Sequence, residues 1–359
     1  MIKEPRLWIR YILALLAGVT VSIVVLVVLS VISNQKLPRG PENPEILVGM
    51  DKARLAESIH LRQELGNQVW AGFGDADVPT ALWNAKTIFL VLYPGTPLGW
   101  GVVPNDSFLG QPIFRKRNLN AENFTFKIGN VWVASIATKY ETDRFIRETF
   151  RNVLPAYLKD IFPYRLLISN SEVQITAAVQ EAFHAYQATA ATSNFEDTLL
   201  AEHDHEHYWK SNAASQNKWI EEMEPLVKAV RSTSPSERKQ LVQEFLEIRD
   251  QRRHENQLDE TQIAYERRLE WLNGVAKYVS LEIWRQASLT ASYRPVPQLT
   301  NDPDFKQYET FQRTWLRELN QAKSEQSSMN DTRFTYSGML QAELLDRLSP
   351  GWQSLIFQP

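Results

Sequence analysis

Residues 179–187 read Val-Gln-Glu-Ala-Phe-His-Ala-Tyr-Gln, and this stretch decides how the rest of the chain is interpreted. It lies within residues 171–190, whose composition and spacing predict a helix. Residues four apart share one face of a helix, so Gln180 and His184 are expected to point the same way, with Glu181 beside them. The stretch therefore predicts a cluster of polar side chains on one helix.

The stretch differs at one position from the zinc-binding pattern H-E-x-x-H. In that pattern two imidazoles on one helix face hold the metal, and the glutamate polarises a bound water. Here Glu181 and His184 match, but Gln180 stands where the first histidine would be. An amide oxygen is a poor zinc ligand beside imidazole, thiolate or carboxylate. A purely structural alternative is a helix whose Gln180 and His184 are hydrogen-bonded at the edge of the core.

The N-terminus predicts a membrane anchor. Residues 12–32 carry no charge, and about 20 apolar residues at about 1.5 Å each cross a hydrocarbon core of about 30 Å. A cleavable signal peptide has a shorter apolar core of about 7–15 residues. Lys3, Arg6 and Arg10 precede the run. The positive-inside rule therefore places residues 1–11 in the cytoplasm and the bulk of the chain outside the cell membrane, as a single-pass protein.

Composition bounds the remaining possibilities. The chain has 359 residues, of which 43% are hydrophobic, so a sizeable core can form. It has no cysteine, which excludes disulfides, thiolate zinc sites and cysteine nucleophiles. A net charge of -3 gives no overall attraction to nucleic acid, and we expect no nucleic-acid partner.

The soluble part divides into two regions after a Pro-rich linker over residues 33–45. Residues 46–140 are predicted to be rich in strands, and residues 124–129 and 131–137 form a candidate hairpin about a Gly-Asn turn. Residues 141–359 have helical periodicity. This order, strands followed by helices, predicts an α+β fold with a single N-terminal transmembrane helix.

Start signals and apolar stripes locate the helices. Ser171 and Gln174 have the spacing of a capping box, and Ser234 precedes a proline at a first helical position. Helices are predicted over residues 50–66, 142–154, 171–190, 259–287, 304–323 and 336–348.

Several blocks, in the same order along the chain, resemble a family of membrane-anchored, zincin-like (gluzincin-type) putative metallopeptidases. The blocks are residues 179–187 against H-E-x-x-H-x-x-Q, residues 249–253 with 265–270, residues 273–278 against E-G-x-A-x-Y, residues 337–352 and, more weakly, residues 68–72. The resemblance implies a zincin-like helical part over residues 141–359.

The resemblance also implies that the family's third zinc ligand, a glutamate, falls at Asn273. Two of three expected ligands, at Gln180 and Asn273, are then neutral amides, and only His184 remains. Without a metal, Glu181 has no bound water to activate. This interpretation predicts a protein that is not an enzyme, holds no cofactor, and binds a peptide or protein in the former cleft.

An alternative is an active zinc-dependent hydrolase with rearranged ligands. Residues 202–207, Glu-His-Asp-His-Glu-His, form a second ligand-rich stretch. His203, His205 or His207 could join His184, with Glu270 or Glu282 as the carboxylate ligand and Glu181 as the base. A solvated loop between helices is the structural interpretation of the same stretch. A further alternative is a scaffold that does not use the cleft.

Overall fold

The computed structural model of the protein describes residues 5–201, 205–211, 216–325 and 329–357. It has the expected α+β organisation, with a strand-rich region that precedes a helical C-terminal part. The α-helices are α1 (Pro5–Gln35), α2 (Gly49–Val69), α3 (Lys139–Val153), α4 (Ser171–Ala190), α5 (Thr192–Ala201), α6 (His205–Ser211), α7 (Gln216–Arg231), α8 (Pro235–Glu255), α9 (Glu260–Leu269), α10 (Val275–Leu289), α11 (Phe311–Ser324) and α12 (Thr332–Leu348). The strands are β1 (Thr80–Trp83), β2 (Thr87–Val91), β3 (Gly101–Phe108), β4 (Gln111–Arg117), β5 (Phe126–Ile128) and β6 (Val131–Ala137).

Helix α1 is long and apolar enough to cross a membrane. Its candidate span, Tyr11–Gln35, has 25 residues, and the most apolar 18 residues within it have a mean hydropathy of 3.0. In the most apolar part of this span, no residue is buried by the rest of the protein. Apolar side chains such as Leu15 and Leu26 are exposed. Exposed apolar side chains in such number suit a hydrocarbon environment better than water.

The six strands form one sheet in the order β3-β4-β2-β1-β6-β5. All neighbours are antiparallel except β1 and β6, which run parallel. The predicted hairpin is confirmed, because Ile128 pairs with Val131 across the Gly129-Asn130 turn. The inner face of the sheet carries Leu82, Phe89 and Ile136, all nearly fully buried.

Helix α4 occupies the centre of the soluble part. It packs against β6 on one side and against α2 and α10 on the other. Phe183 of α4 contacts Trp70 and Phe73, with ring centroids 5.1 and 5.0 Å apart. The main core therefore joins the strand-rich region to the helical part, and it includes the apolar residues Val179, Ala182 and Phe183 of α4.

Two helix starts differ from their predictions because tertiary contacts take over the residues concerned. The N-cap of α4 is Asn170, and the hydroxyl of Ser171 donates to Asp302 at 2.7 Å, so the predicted capping box is wrong. Helix α11 begins at Phe311 rather than at residue 304. The buried carboxylate of Glu172 instead accepts the backbone N–H groups of Lys306 and Tyr308.

The predicted helix over residues 259–287 is present but contains one π-helical turn at Glu270–Gly274, between α9 and α10. Gly274 and Gly338 lie so close together that a Cβ atom on either would overlap the facing backbone. Two glycines allow the π-helical turn and α12 to touch backbone to backbone. π-Helical turns occur often at functional positions, and this one carries Asn273.

Candidate functional site

The motif residues lie on the face of α4 that is turned towards the core. His184 is 2% exposed and Glu181 is 8% exposed, while Gln180 is half-buried. Gln174, two helical turns before Glu181, donates to the carbonyl of Ala137 at the end of β6. This contact directs that face of α4 towards the sheet.

Gln187 connects His184 to the π-helical turn. Its Nε2 donates to the carbonyl oxygen of Trp271 at 3.0 Å, so its Oε1 is the acceptor for Nδ1 of His184 at 3.1 Å. In a neutral imidazole the proton must then sit on Nδ1, which leaves Nε2 with a free lone pair. The segment that carries His184 and the segment that carries Asn273 are therefore joined by hydrogen bonds.

Burial keeps His184 uncharged. Desolvation lowers the pKa of His184 from 6.5 to about 4, and the hydrogen bond with Gln187 opposes this only in part. The ring of Phe124 lies 5.2 Å from the imidazole and adds to its apolar surroundings. His184 is therefore a neutral imidazole at physiological pH.

Burial shifts the pKa of Glu181 in the opposite direction, upwards. Desolvation raises the pKa of Glu181 from 4.5 to about 8, and no other cause contributes. Its Oε2 is buried without a hydrogen-bond partner among the described residues. A carboxyl group in this environment is mostly protonated at neutral pH, so only a small fraction of it is in the basic form.

Asn273, the position of the expected third ligand, lies half-buried in the π-helical turn. Gln180 and Asn273 would offer a metal only neutral amide oxygens. With His184, the three positions give a set of one imidazole and two amides, which is poor in the nitrogen, sulfur and carboxylate donors that zinc prefers.

Glu270, the candidate carboxylate ligand, is hydrogen-bonded to other side chains. Its Oε1 accepts from Arg249 at 2.6 Å and from Ser337 at 2.5 Å, and its Oε2 accepts from Arg249 at 3.1 Å. A bidentate guanidinium pair of this kind holds the carboxylate in place. Glu270 is therefore a structural partner of Arg249 rather than a free ligand. Glu282 accepts from Arg285 and Gln286.

The Arg249–Glu270 pair belongs to a buried ionic network, which the spacing of the charged residues alone does not predict. Arg252 donates to Glu222 at 2.6 Å and to Glu266 at 2.8 Å, and all three side chains are fully buried. The opposite charges hold the pKa of Glu266 at about 2, against the effect of burial. In the sequence, the network is marked only by Arg249 and Arg252, three apart on α8, and by Glu266 and Glu270, four apart on the facing segment.

The histidine-rich stretch is not a loop throughout. His205 and His207 lie on α6, so the loop prediction is wrong for these two, and His203 lies outside the described residues. Nδ1 of His205 lies 2.8 Å from Asp331, just before α12, and His207 is exposed. Neither has a recorded contact with His184. Within the described ranges, no cluster of three or more His, Cys, Asp or Glu residues could hold a metal ion.

A groove is lined by residues of β2, β4, β5 and β6 and by residues between 119 and 125. It has a volume of about 400 Å³, and its lining combines apolar side chains such as Leu119 and Phe126 with charged ones, Lys116, Arg117 and Glu122. Phe124 both lines this groove and contacts His184. Lys116 lies 4.6 Å from the ring of Trp100, beside the same groove.

Comparison of this chain with protein-family models, curated proteins and solved structures finds no match.

Proposed function

We propose that this protein is a membrane-anchored, extracytoplasmic, metallopeptidase-like protein that binds a peptide or protein and does not hydrolyse it. Helix α1 supplies the anchor, and the basic residues before its apolar run orient residues 1–11 to the cytoplasm. The sequence blocks described above supply the likeness to zincins.

The observation that carries the proposal is the enclosure of His184 and Glu181. A catalytic zinc needs three protein ligands and a position open to water. His184 is fully buried, the two other positions of the expected ligand set, Gln180 and Asn273, bear amides, and Glu181 holds its proton near neutral pH. These features support a site that has kept its polar residues for packing and hydrogen bonding rather than for hydrolysis.

The groove beside β5 supports the binding role. β5 is an edge strand, and an edge strand can pair with an extended peptide through main-chain hydrogen bonds. The apolar side chains of the groove would take alternate side chains of that peptide, and Lys116 and Arg117 favour acidic ones. The groove volume of about 400 Å³ suits a few side chains.

A second candidate, an active zinc hydrolase with rearranged ligands, rests on one specific observation. The hydrogen bond from Nδ1 of His184 to Gln187 leaves Nε2 free, as in metal-bound histidines that donate their other N–H to a neighbouring acceptor. Glu181, whose pKa is strongly raised by burial, would then be the base.

Peptide hydrolysis distinguishes the two candidates. The full chain is purified in detergent, supplied with zinc, and assayed with a library of internally quenched fluorescent peptides. We expect turnover no higher than that of the Glu181→Gln variant, with or without a chelator. Cleavage that disappears both with a chelator and in Glu181→Gln would overturn the proposal and favour the hydrolase.

A further inference from the structure

A short segment after α3 is fixed at the outer end of the anchor. The side chain of Asn34, near the end of α1, donates to the carbonyl of Phe162 at 2.8 Å and accepts from the N–H of Tyr164 at 3.0 Å. Asn34 follows the apolar run of α1 by two residues, so it lies about 3 Å beyond the end of that run. If α1 spans the membrane, these bonds set the segment at the depth where the hydrocarbon meets the headgroups.

From this point the segment extends along the anchor towards the bilayer centre. Ile161, Pro163, Arg165 and Leu166 face α1 across a groove of about 590 Å³, which is lined almost entirely by apolar atoms. On the anchor the groove extends to Ile23, eleven residues before Asn34, or about 16 Å along the helix. Such a groove opens into the lipid phase if α1 spans the membrane.

The same segment presents apolar side chains outward. Leu166 is 78% exposed and Tyr157 is 76% exposed, and Val153 at the end of α3 is equally open. Phe150 of α3 packs on Phe162 with ring centroids 4.6 Å apart, which ties this end of α3 to the anchored segment. Large exposed apolar side chains grouped around a membrane helix mark a surface that is covered by something other than water.

We propose that residues 153–166, which we call the collar, insert into the outer leaflet beside α1, with the acyl chain of a phospholipid in the groove. Leu166 lies in the hydrocarbon, and Tyr157 lies at the headgroups, where aromatic rings with a polar end are enriched. Arg165 lines the groove beside Leu166 and can extend its guanidinium to the lipid phosphate. The collar rests on the proposed anchoring by α1, and it would hold the soluble part at a fixed height and tilt.

Because the chain has no cysteine, single cysteines can be introduced and labelled at chosen positions to test the collar. Single cysteines are introduced as Leu166→Cys, Tyr157→Cys, Val24→Cys and, as a control, Leu200→Cys, which is 65% exposed on α5. Each full-length variant is labelled with a bimane fluorophore and reconstituted in phosphatidylcholine and phosphatidylglycerol vesicles. Lipids with a nitroxide near the headgroup or deep in the chain quench labels by depth, and iodide quenches labels in water. Circular dichroism checks that each variant is folded.

We expect nitroxide lipids to reduce the fluorescence at positions 166, 157 and 24, and iodide to reduce it at position 200. Quenching at position 24 without quenching at 166 and 157 would overturn the collar and leave the anchor standing. If iodide quenches the label at position 24 and the nitroxide lipids do not, the anchor and the collar are both wrong.

Discussion

The side-chain amide of Gln187 accepts a hydrogen bond from Nδ1 of His184 at 3.1 Å and donates one to the carbonyl of Trp271 at 3.0 Å. This relay joins α4 to the π-helical turn that carries Asn273. Two segments that the sequence relates only through a family resemblance are therefore connected by a chain of hydrogen bonds in the interior.

We predict that Gln187→Leu destabilises the protein by about 1–3 kcal/mol, because it leaves Nδ1 of buried His184 without its partner and removes the hydrogen bond to the carbonyl of Trp271. Gln180→Leu on the same helix is the matched control and should cost less, since the structure records no side-chain hydrogen bond for half-buried Gln180. Chemical denaturation of both variants measures the difference. Equal losses would show that the relay contributes nothing.

The opposite pKa shifts of Glu181 and His184 predict how stability depends on pH. Burial raises the pKa of Glu181 from 4.5 to about 8, so its contribution to stability falls as pH rises through that range. Burial lowers the pKa of His184 from 6.5 to about 4, so its contribution grows as pH rises from 4 to 6.5. The two largely cancel below pH 6.5, and only the loss from Glu181 continues up to pH 8.

At about 1.4 kcal/mol per pH unit, the wild type should lose about 2 kcal/mol from Glu181 between pH 6.5 and 8. Glu181→Gln, which is neutral at every pH, should not show this loss. Comparing the free energies of unfolding of the two proteins at both pH values cancels the other titrating groups. Parallel behaviour of wild type and variant would mean that Glu181 is already ionised in the folded protein.

We predict that Gly338→Ala is strongly destabilising. A Cβ atom at this position would overlap the backbone of Glu270 in the π-helical turn, and overpacking of this kind costs about 1–3 kcal/mol or more. Gly49→Ala is the control, because nothing lies within 4 Å of the added atom and the residue begins α2. Thermal unfolding compares the two. A neutral Gly338→Ala would mean that α12 and the π-helical turn can separate at little cost.

The double variant Gln180→His with Asn273→Glu should gain zinc binding if these positions converge on His184. Together they restore the two imidazoles and one carboxylate that such a site requires. Isothermal titration of the full chain with zinc measures the gain. Gln180→His alone, and the double variant with His184→Ala added, should stay near wild type. No gain in the double variant would show that Asn273 does not stand at the third-ligand position.

Local signals were enough to predict the fold class and most element positions. The Gly129-Asn130 turn located the β5–β6 hairpin, and Ser234 before Pro235 marked the start of α8, where its hydroxyl accepts from the N–H of Glu237. The uncharged run at the N-terminus predicted α1 in the same way. Each of these depends on residues close together in sequence.

The features that the sequence did not predict have one physical cause, because they depend on polar contacts between residues far apart in the chain. Ser171 caps no helix since Asp302 takes its hydroxyl, and nothing in the sequence indicated that Arg249 binds both oxygens of Glu270. The raised pKa of Glu181 depends on how completely the core closes around it. Partners that are 21 or 131 residues apart cannot be read from periodicity.

The zinc content of the wild-type chain tests the central claim most directly. The full-length protein is purified in detergent, equilibrated with zinc, passed through a desalting column, and analysed for metal per chain alongside His184→Ala. We predict far less than one zinc per chain in the wild type and the same value in His184→Ala. A full equivalent of zinc that is lost in His184→Ala would contradict the account, because it would show that His184 still holds a metal.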